Sequence, residues 1–136
     1  MKLGIISDTH IGKSIDTLIK FLDEHMKDMD MLIHAGDYGT SEVVTILSEH
    51  KGFVGVFGNV DGDDIKELVS EKEIIEIKNH RIGIFHGHGS KKTTVERAYD
   101  AFESDNVDII IFGHSHQPVI KTKKGTLLLI LVLQLV

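Results

Sequence analysis

The chain has 136 residues, 41% of them hydrophobic and 26% charged, a size and balance that fit one packed domain over residues 1–136. It contains no cysteine, which excludes disulfides, thiolate metal sites and cysteine nucleophiles. A formal net charge of −6 argues against an extended nucleic-acid footprint, because an acidic surface repels a polyanion.

In chain order, Leu3–Ile6 is a short aliphatic run and predicts a first strand. Ser7-Asp8 cuts it off too early for the apolar region of a signal peptide, so a cytoplasmic location is expected. From Ser14 to Met29 the apolar residues Ile15, Leu18, Ile19, Leu22 and Met26 fall at helical spacing. Met31–Ile33 predicts a second strand. Thr40 to His50 predicts a helix with Val43, Val44 and Leu47 on one face, Ser41 as N-cap and Glu42 in the first turn. Phe53–Phe57 predicts a third strand and Asp63 to Ser70 a short helix. Glu73–Ile77 and Arg81–Phe85 read as a strand pair joined by Lys78-Asn79-His80. Thr93 to Ser104 carries Val95, Ala98, Tyr99 and Phe102 on one helical face, and Val107–Phe112 predicts another buried strand. The alternation of strand and helix through the first half predicts an α/β fold.

Each of five apolar runs ends in a polar cluster: Ser7-Asp8-Thr9-His10, His34-Ala35-Gly36-Asp37, Gly58-Asn59-Val60-Asp61, His86-Gly87-His88-Gly89 and Gly113-His114-Ser115-His116. Open α/β sheets bind ligands at the carboxyl ends of their strands, so clusters distant in sequence can converge on one edge. Asp8 and His10 are two residues apart, as are His114 and His116, and in extended chain such pairs point the same way. Singly, each cluster is ordinary turn chemistry; the five together predict a shared metal site. Imidazole with carboxylate and carboxamide oxygen suits Mn, Fe, Zn, Co or Ni. Of the remaining histidines, His25, His50 and His80 read as solvated, and His34, just before the Gly36-Asp37 turn, as supporting or structural.

The set Asp8-Thr9-His10, Gly36-Asp37, Gly58-Asn59, His86 and Gly113-His114-Ser115-His116, in that order, resembles the calcineurin-like metallophosphoesterase superfamily over about residues 1–126. It is most similar to the small single-domain phosphodiesterases of bacteria and archaea. The resemblance implies a four-layer α-β-β-α sandwich, two mixed sheets flanked by helices. It implies that Asp8, His10 and His116 hold one divalent ion, that Asn59, His86 and His114 hold a second, and that Asp37 bridges them. Mn is the first expectation, with Ni, Co, Fe or Zn as alternatives. Two such ions, about 3.5–4 Å apart, clamp an in-line displacement by a bridging hydroxide on a small phosphate ester.

Two features depart from the family pattern. Many of its phosphatases carry a second Asp after G-D and a His after G-N, which together protonate the leaving group; here those positions are Thr40 and Val60. His88 is the substitute acid considered, and Asp61 is expected to orient a ligand histidine. Asp37, Asn59 and His88 are thus the expected catalytic residues. The second departure is the C-terminal part, shortened or altered relative to the family. Thr126 to Leu131 is expected to be a strand of the second sheet, and the apolar Val132 to Val136 to be covered in a homodimer, the run being too short for a membrane anchor. The competing reading is a non-catalytic protein-interaction scaffold on the same fold, like the retromer-type subunit. Donors at all seven ligand positions favour an enzyme.

Overall fold

Three strands open the chain: β1 (Leu3–Ile6), β2 (Met31–His34) and β3 (Phe53–Gly55). They pair in that order and wholly in parallel, with Ile6 level with His34 and His34 level with Gly55. A parallel pair needs a crossover, and two helical segments supply it. Between β1 and β2 run α1 (Ile15–Phe21) and a π-helical turn at Leu22–Met26; α2 (Ser41–Ser48) joins β2 to β3. A short α3 (Asp63–Lys66) follows. The second sheet contains β4 (Lys72–Ile77), β5 (His80–Phe85), β6 (Ile109–Ile111), β7 (Val119–Lys123) and β8 (Thr126–Ile130), in the order β4-β5-β6-β8-β7. Its three central strands are parallel and its two outer strands antiparallel. These assignments come from a computed structural model that describes residues 1–10 and 14–130.

Strand alternation divides the core into three layers of contact. Ile6 and Leu32 point outward to meet Leu18, Val43, Val44, Leu47 and Ile65 from the helices. Ile5 and Ile33 point inward, where they join Ile82, Ile84 and Ile111 of the second sheet. On the far side Ile110 and Leu128 pack against Ala98 and Phe102 at α4 (Thr94–Ala101). The order is therefore helices, sheet, sheet, helix: the expected α-β-β-α sandwich. Of its two sheets only the second is mixed among the described residues.

Local corrections have local causes. The hairpin turn is Lys78-Asn79 alone, with φ of 47° and 70°, and His80 already pairs with Ile77. Two left-handed residues match the twist of the flanking strands, so the tighter turn wins over a three-residue one. Thr40, not Ser41, precedes α2 in extended conformation, and its side chain makes no cap bond. Helix α3 stops after one turn because the chain must return to place Ser70 beside Val56. His50 is half-buried and accepts the Gly52 amide rather than being solvated. The expected strand at the C-terminal end is present through Ile130; Leu131 and the segment 132–136, with the dimer contact expected there, lie outside the described residues.

Candidate metal centre

Parallel strands in register end at one edge, and the polar clusters follow directly. The chain then turns sharply: Asp8, Asp37, His114 and His116 all have left-handed backbones, with φ of 56°, 63°, 71° and 58°. Such residues cost about 1–3 kcal/mol each and gather where function fixes the geometry. The convergence of Asp8 with His10, and of His114 with His116, thus comes from left-handed bends rather than from extended-chain alternation. Gly36, at φ 101°, permits the bend before Asp37, and a Cβ there would press on the His86 ring.

Among the described residues, two groups of side chains bring their donor atoms within 4.8 Å of one another: Asp8, His10 and His116, and Asp37, His86 and His114. Asp37 Oδ2 faces both groups, 3.7 Å from His10 Nε2 and 3.0 Å from His86 Nε2. Asp8 Oδ1 lies 3.3 Å from His116 Nε2 and 3.9 Å from His86 Nε2. Asn59 joins the second group, its Oδ1 3.0 Å from His114 Nδ1. All seven expected ligand positions are therefore in one cluster. Asp8, Asp37 and His86 are buried.

Asp8 Oδ1, His10 Nε2 and His86 Nε2 are buried without a hydrogen-bond partner. An unsatisfied buried polar atom costs about 1–3 kcal/mol, more when charged. At His86 the tautomer is fixed: Nδ1 donates to the Ala35 carbonyl at 2.7 Å, so Nε2 presents a lone pair to the Asp37 carboxylate. Two such electron-rich atoms 3.0 Å apart require a cation between them. Without a metal that cation is a proton. Burial opposes it, but the Asp37 carboxylate, the Ala35 carbonyl and Asp8 outweigh burial and raise the His86 pKa. For Asp37, burial raises the pKa, while His86, the Val60 amide and His10 prevail and lower it. Burial, with His86 and Arg97 nearby, lowers that of His114. Oxygen and imidazole donors with orphaned lone pairs fit a divalent transition metal.

Behind the donors lies a buried support. His34 is fully enclosed and stacks on Tyr38, with ring centroids 3.8 Å apart. Its Nδ1 accepts the Gly36 amide, so Nε2 donates to Thr9 Oγ1, which donates to the Tyr38 carbonyl. This chain fixes Thr9, between Asp8 and His10, and uses His34 as neutral imidazole. Burial, with His86 close by, lowers its pKa to about 3. Asp61 does not orient a histidine as expected. Its carboxylate accepts the backbone amides of Asp37, Tyr38 and Gly58.

His88 sits beside the cluster rather than in it. Its ring centroid is 5.8 Å from that of His86, and its Nε2 is 3.5 Å from Glu71 Oε1. Burial, with His86 next to it, lowers its pKa. At Val60 the side chain is 53% exposed and offers no proton. Sequence reading missed Arg97, which donates to the carbonyls of Gly87, Lys91 and Lys92 and so shapes the loop carrying His86. Nothing in its sequence context marks it, since three of its four partners are backbone oxygens.

Residues 1–131 match the family model described as the calcineurin-like phosphoesterase superfamily domain. The chain belongs to the calcineurin-like phosphoesterase superfamily. It is 32% identical over 130 residues to the probable metallophosphoesterase MJ0623 of Methanocaldococcus jannaschii, covering 95% of this chain and 66% of that protein. It is 29% identical over 134 residues to the phosphodiesterase MJ0936 of the same organism, covering 88% of this chain and 75% of the relative. The chain therefore spans just under two thirds of the first relative and three quarters of the second. Among solved structures, wild-type Vps29 of Entamoeba histolytica, complexed with Zn, superposes with a TM-score of 0.72 at 25% identity, over 96% of this chain and 73% of the other. This superfamily uses divalent metals, and the two Asp/His groups are where this metallophosphoesterase chain gathers candidate ligands.

Proposed function

We propose that this chain is one phosphoesterase domain that holds two divalent ions and hydrolyses a small phosphate ester, with phosphodiesters as the preferred class. The observation that carries the reading is a donor set in two groups, with Asp37 Oδ2 of the second also facing His10 of the first, and with three buried donor atoms left unpartnered. Asp8, His10 and His116 would hold one ion, Asn59, His86 and His114 the other, and Asp37 both. Bound there, the ions supply Lewis acidity and acidify water at neutral pH. Two dications against two carboxylates leave a net charge of about +2, which draws an anionic ester to a site on an acidic protein.

The protein's own groups then set the preference. Ala35 holds His86 in the tautomer that frees Nε2. The exposed Val60 and Thr40 leave no acid dyad for the departing group. His88, its ring centroid 5.8 Å from that of His86, is the candidate proton donor. Its lowered pKa keeps it neutral near pH 7, which makes it a weak one. Esters with acidic leaving groups should therefore be cleaved best. Mn is the first choice of metal, with Ni, Co, Fe and Zn as competitors, since imidazole and carboxylate ligands accept all of them.

The second reading, an interaction scaffold on this fold, draws support from the likeness to Vps29. The retained donors at all seven positions count against it. A screen of nitrophenyl mono- and diesters with Mn, Co, Ni and Zn separates the two. Turnover that follows the added metal supports the enzyme, and tight metal binding without turnover of any ester supports the scaffold. Among the described residues no helix is long and apolar enough to cross a membrane.

A further inference from the structure

Asp61 is 4% exposed and uses both carboxylate oxygens on backbone amides. Oδ2 accepts from Asp37 N at 2.9 Å and from Gly58 N at 2.8 Å; Oδ1 accepts from Tyr38 N at 2.8 Å. The loop after β2 and the loop after β3 are thus tied through one side chain. The tie is returned: Val60 N donates to Asp37 Oδ1 at 2.9 Å. Gly58 lies directly under Asp37, where a Cβ would collide with Oδ1. Asp37 Oδ1 is thus turned toward the Val60 amide, and Oδ2 toward His10 and His86.

We infer that Asp61 is a positioning residue that keeps Asp37 Oδ2 turned toward both donor groups, by locking the Asp37 backbone in its left-handed bend against the Gly58–Asp61 loop. This rests on the binuclear reading above. The residue type follows from the partners. Three N–H donors need an acceptor-only group with at least three lone pairs, and a carboxylate offers about four. Asparagine offers one oxygen, and its NH2 would face an N–H. The near-isosteric Asp61→Asn therefore cannot hold all three amides. The acid that follows Gly58-Asn59 acts through backbone geometry, which is why it need not touch a histidine.

The test compares the whole chain with Asp61→Asn. Backbone amide exchange in the metal-free proteins reads the lock directly: the Asp37, Tyr38 and Gly58 amides should be protected in the parent and exchange faster in the variant. Mn titration with electron paramagnetic resonance reads the bridge. The parent should bind two ions with an exchange-coupled signal; the variant should bind its second ion about 10–100-fold more weakly, as loss of an outer partner does, and lose the coupling. Should Asp61→Asn fail to fold, Val60→Pro removes the return bond without touching Asp61 and should also uncouple the pair. Unchanged amide protection together with two coupled ions in the variant overturns the inference while leaving the binuclear reading intact. A parent that never binds a second ion overturns both.

Discussion

The loops after β2 and β3 differ from the loop after β6 in how they hold their donors. Asp37 is buried, its backbone is tied to Asp61, and its Oδ1 accepts the Val60 amide. His114, Ser115 and His116 are more open: the His116 side chain is 44% exposed, and the Ser115 hydroxyl makes only 3.4 Å contacts to Gln117. His114 itself is held by one bond, to Asn59. Preorganised donors impose a geometry on the metal, whereas loosely held ones adapt to it. The carboxylate half of the site is held by backbone bonds, and the histidine half near β6 rests on a side-chain contact to Asn59.

The sharpest way to break this contrast is at the bridge. Asp37→Asn removes the shared charge and should abolish tight metal binding and lower turnover by about 10³-fold or more. Calorimetric titration with Mn and ester hydrolysis check it, and near-normal activity would sink the role given to Asp37. Next in size is the buried support. His34 is neutral when folded, with a pKa near 3 against 6.5 unfolded. Between those values the unfolded chain binds more protons than the native one, so stability falls as pH drops through that window, by up to about 1.4 kcal/mol per pH unit. Urea unfolding of the metal-free protein at several pH values should show that slope, and His34→Gln should flatten it.

A smaller effect sharpens the same comparison within one residue type. His86→Ala opens a buried position and strands the Ala35 carbonyl, so it should weaken metal binding by about 100-fold or more. His116→Ala, at the exposed end, should cost closer to about 10-fold. Equal losses would mean that the two loops are equally preformed. The smallest effect is expected at His88. Rates should depend steeply on leaving-group pKa, because a working general acid adds about 10²–10⁴-fold that this site lacks. His88→Ala should change the rate on nitrophenyl esters by less than about tenfold. A shallow dependence that steepens in His88→Ala would instead make His88 the acid.

Much of this was legible in the sequence because chemistry-bearing residues stand directly after apolar strands. Asp8, Asp37, Asn59, His86 and His114 could be located without coordinates, and the family resemblance implied their grouping. The layers were expected from the resemblance, and the structure shows their basis in Ile5/Ile6 and Leu32/Ile33, which alternate between two apolar environments. What stayed hidden depends on backbone groups, which carry no letter. The choice of Asp61 to hold amides rather than a ring, the His34 tautomer set by Gly36 and Thr9, and the clamp from Arg97 to three carbonyls are all of this kind. The left-handed bends at Asp8, His114 and His116 were equally unreadable, because no glycine marks them. His50 escaped because its partner is the amide two residues on.

The central claim is that one shared carboxylate joins two metal positions. The most direct measurement is the number of Mn ions bound per chain at equilibrium, counted by metal analysis after dialysis of the whole protein. The account predicts close to two, falling below one in Asp37→Asn. One ion or none in the unaltered protein would contradict it.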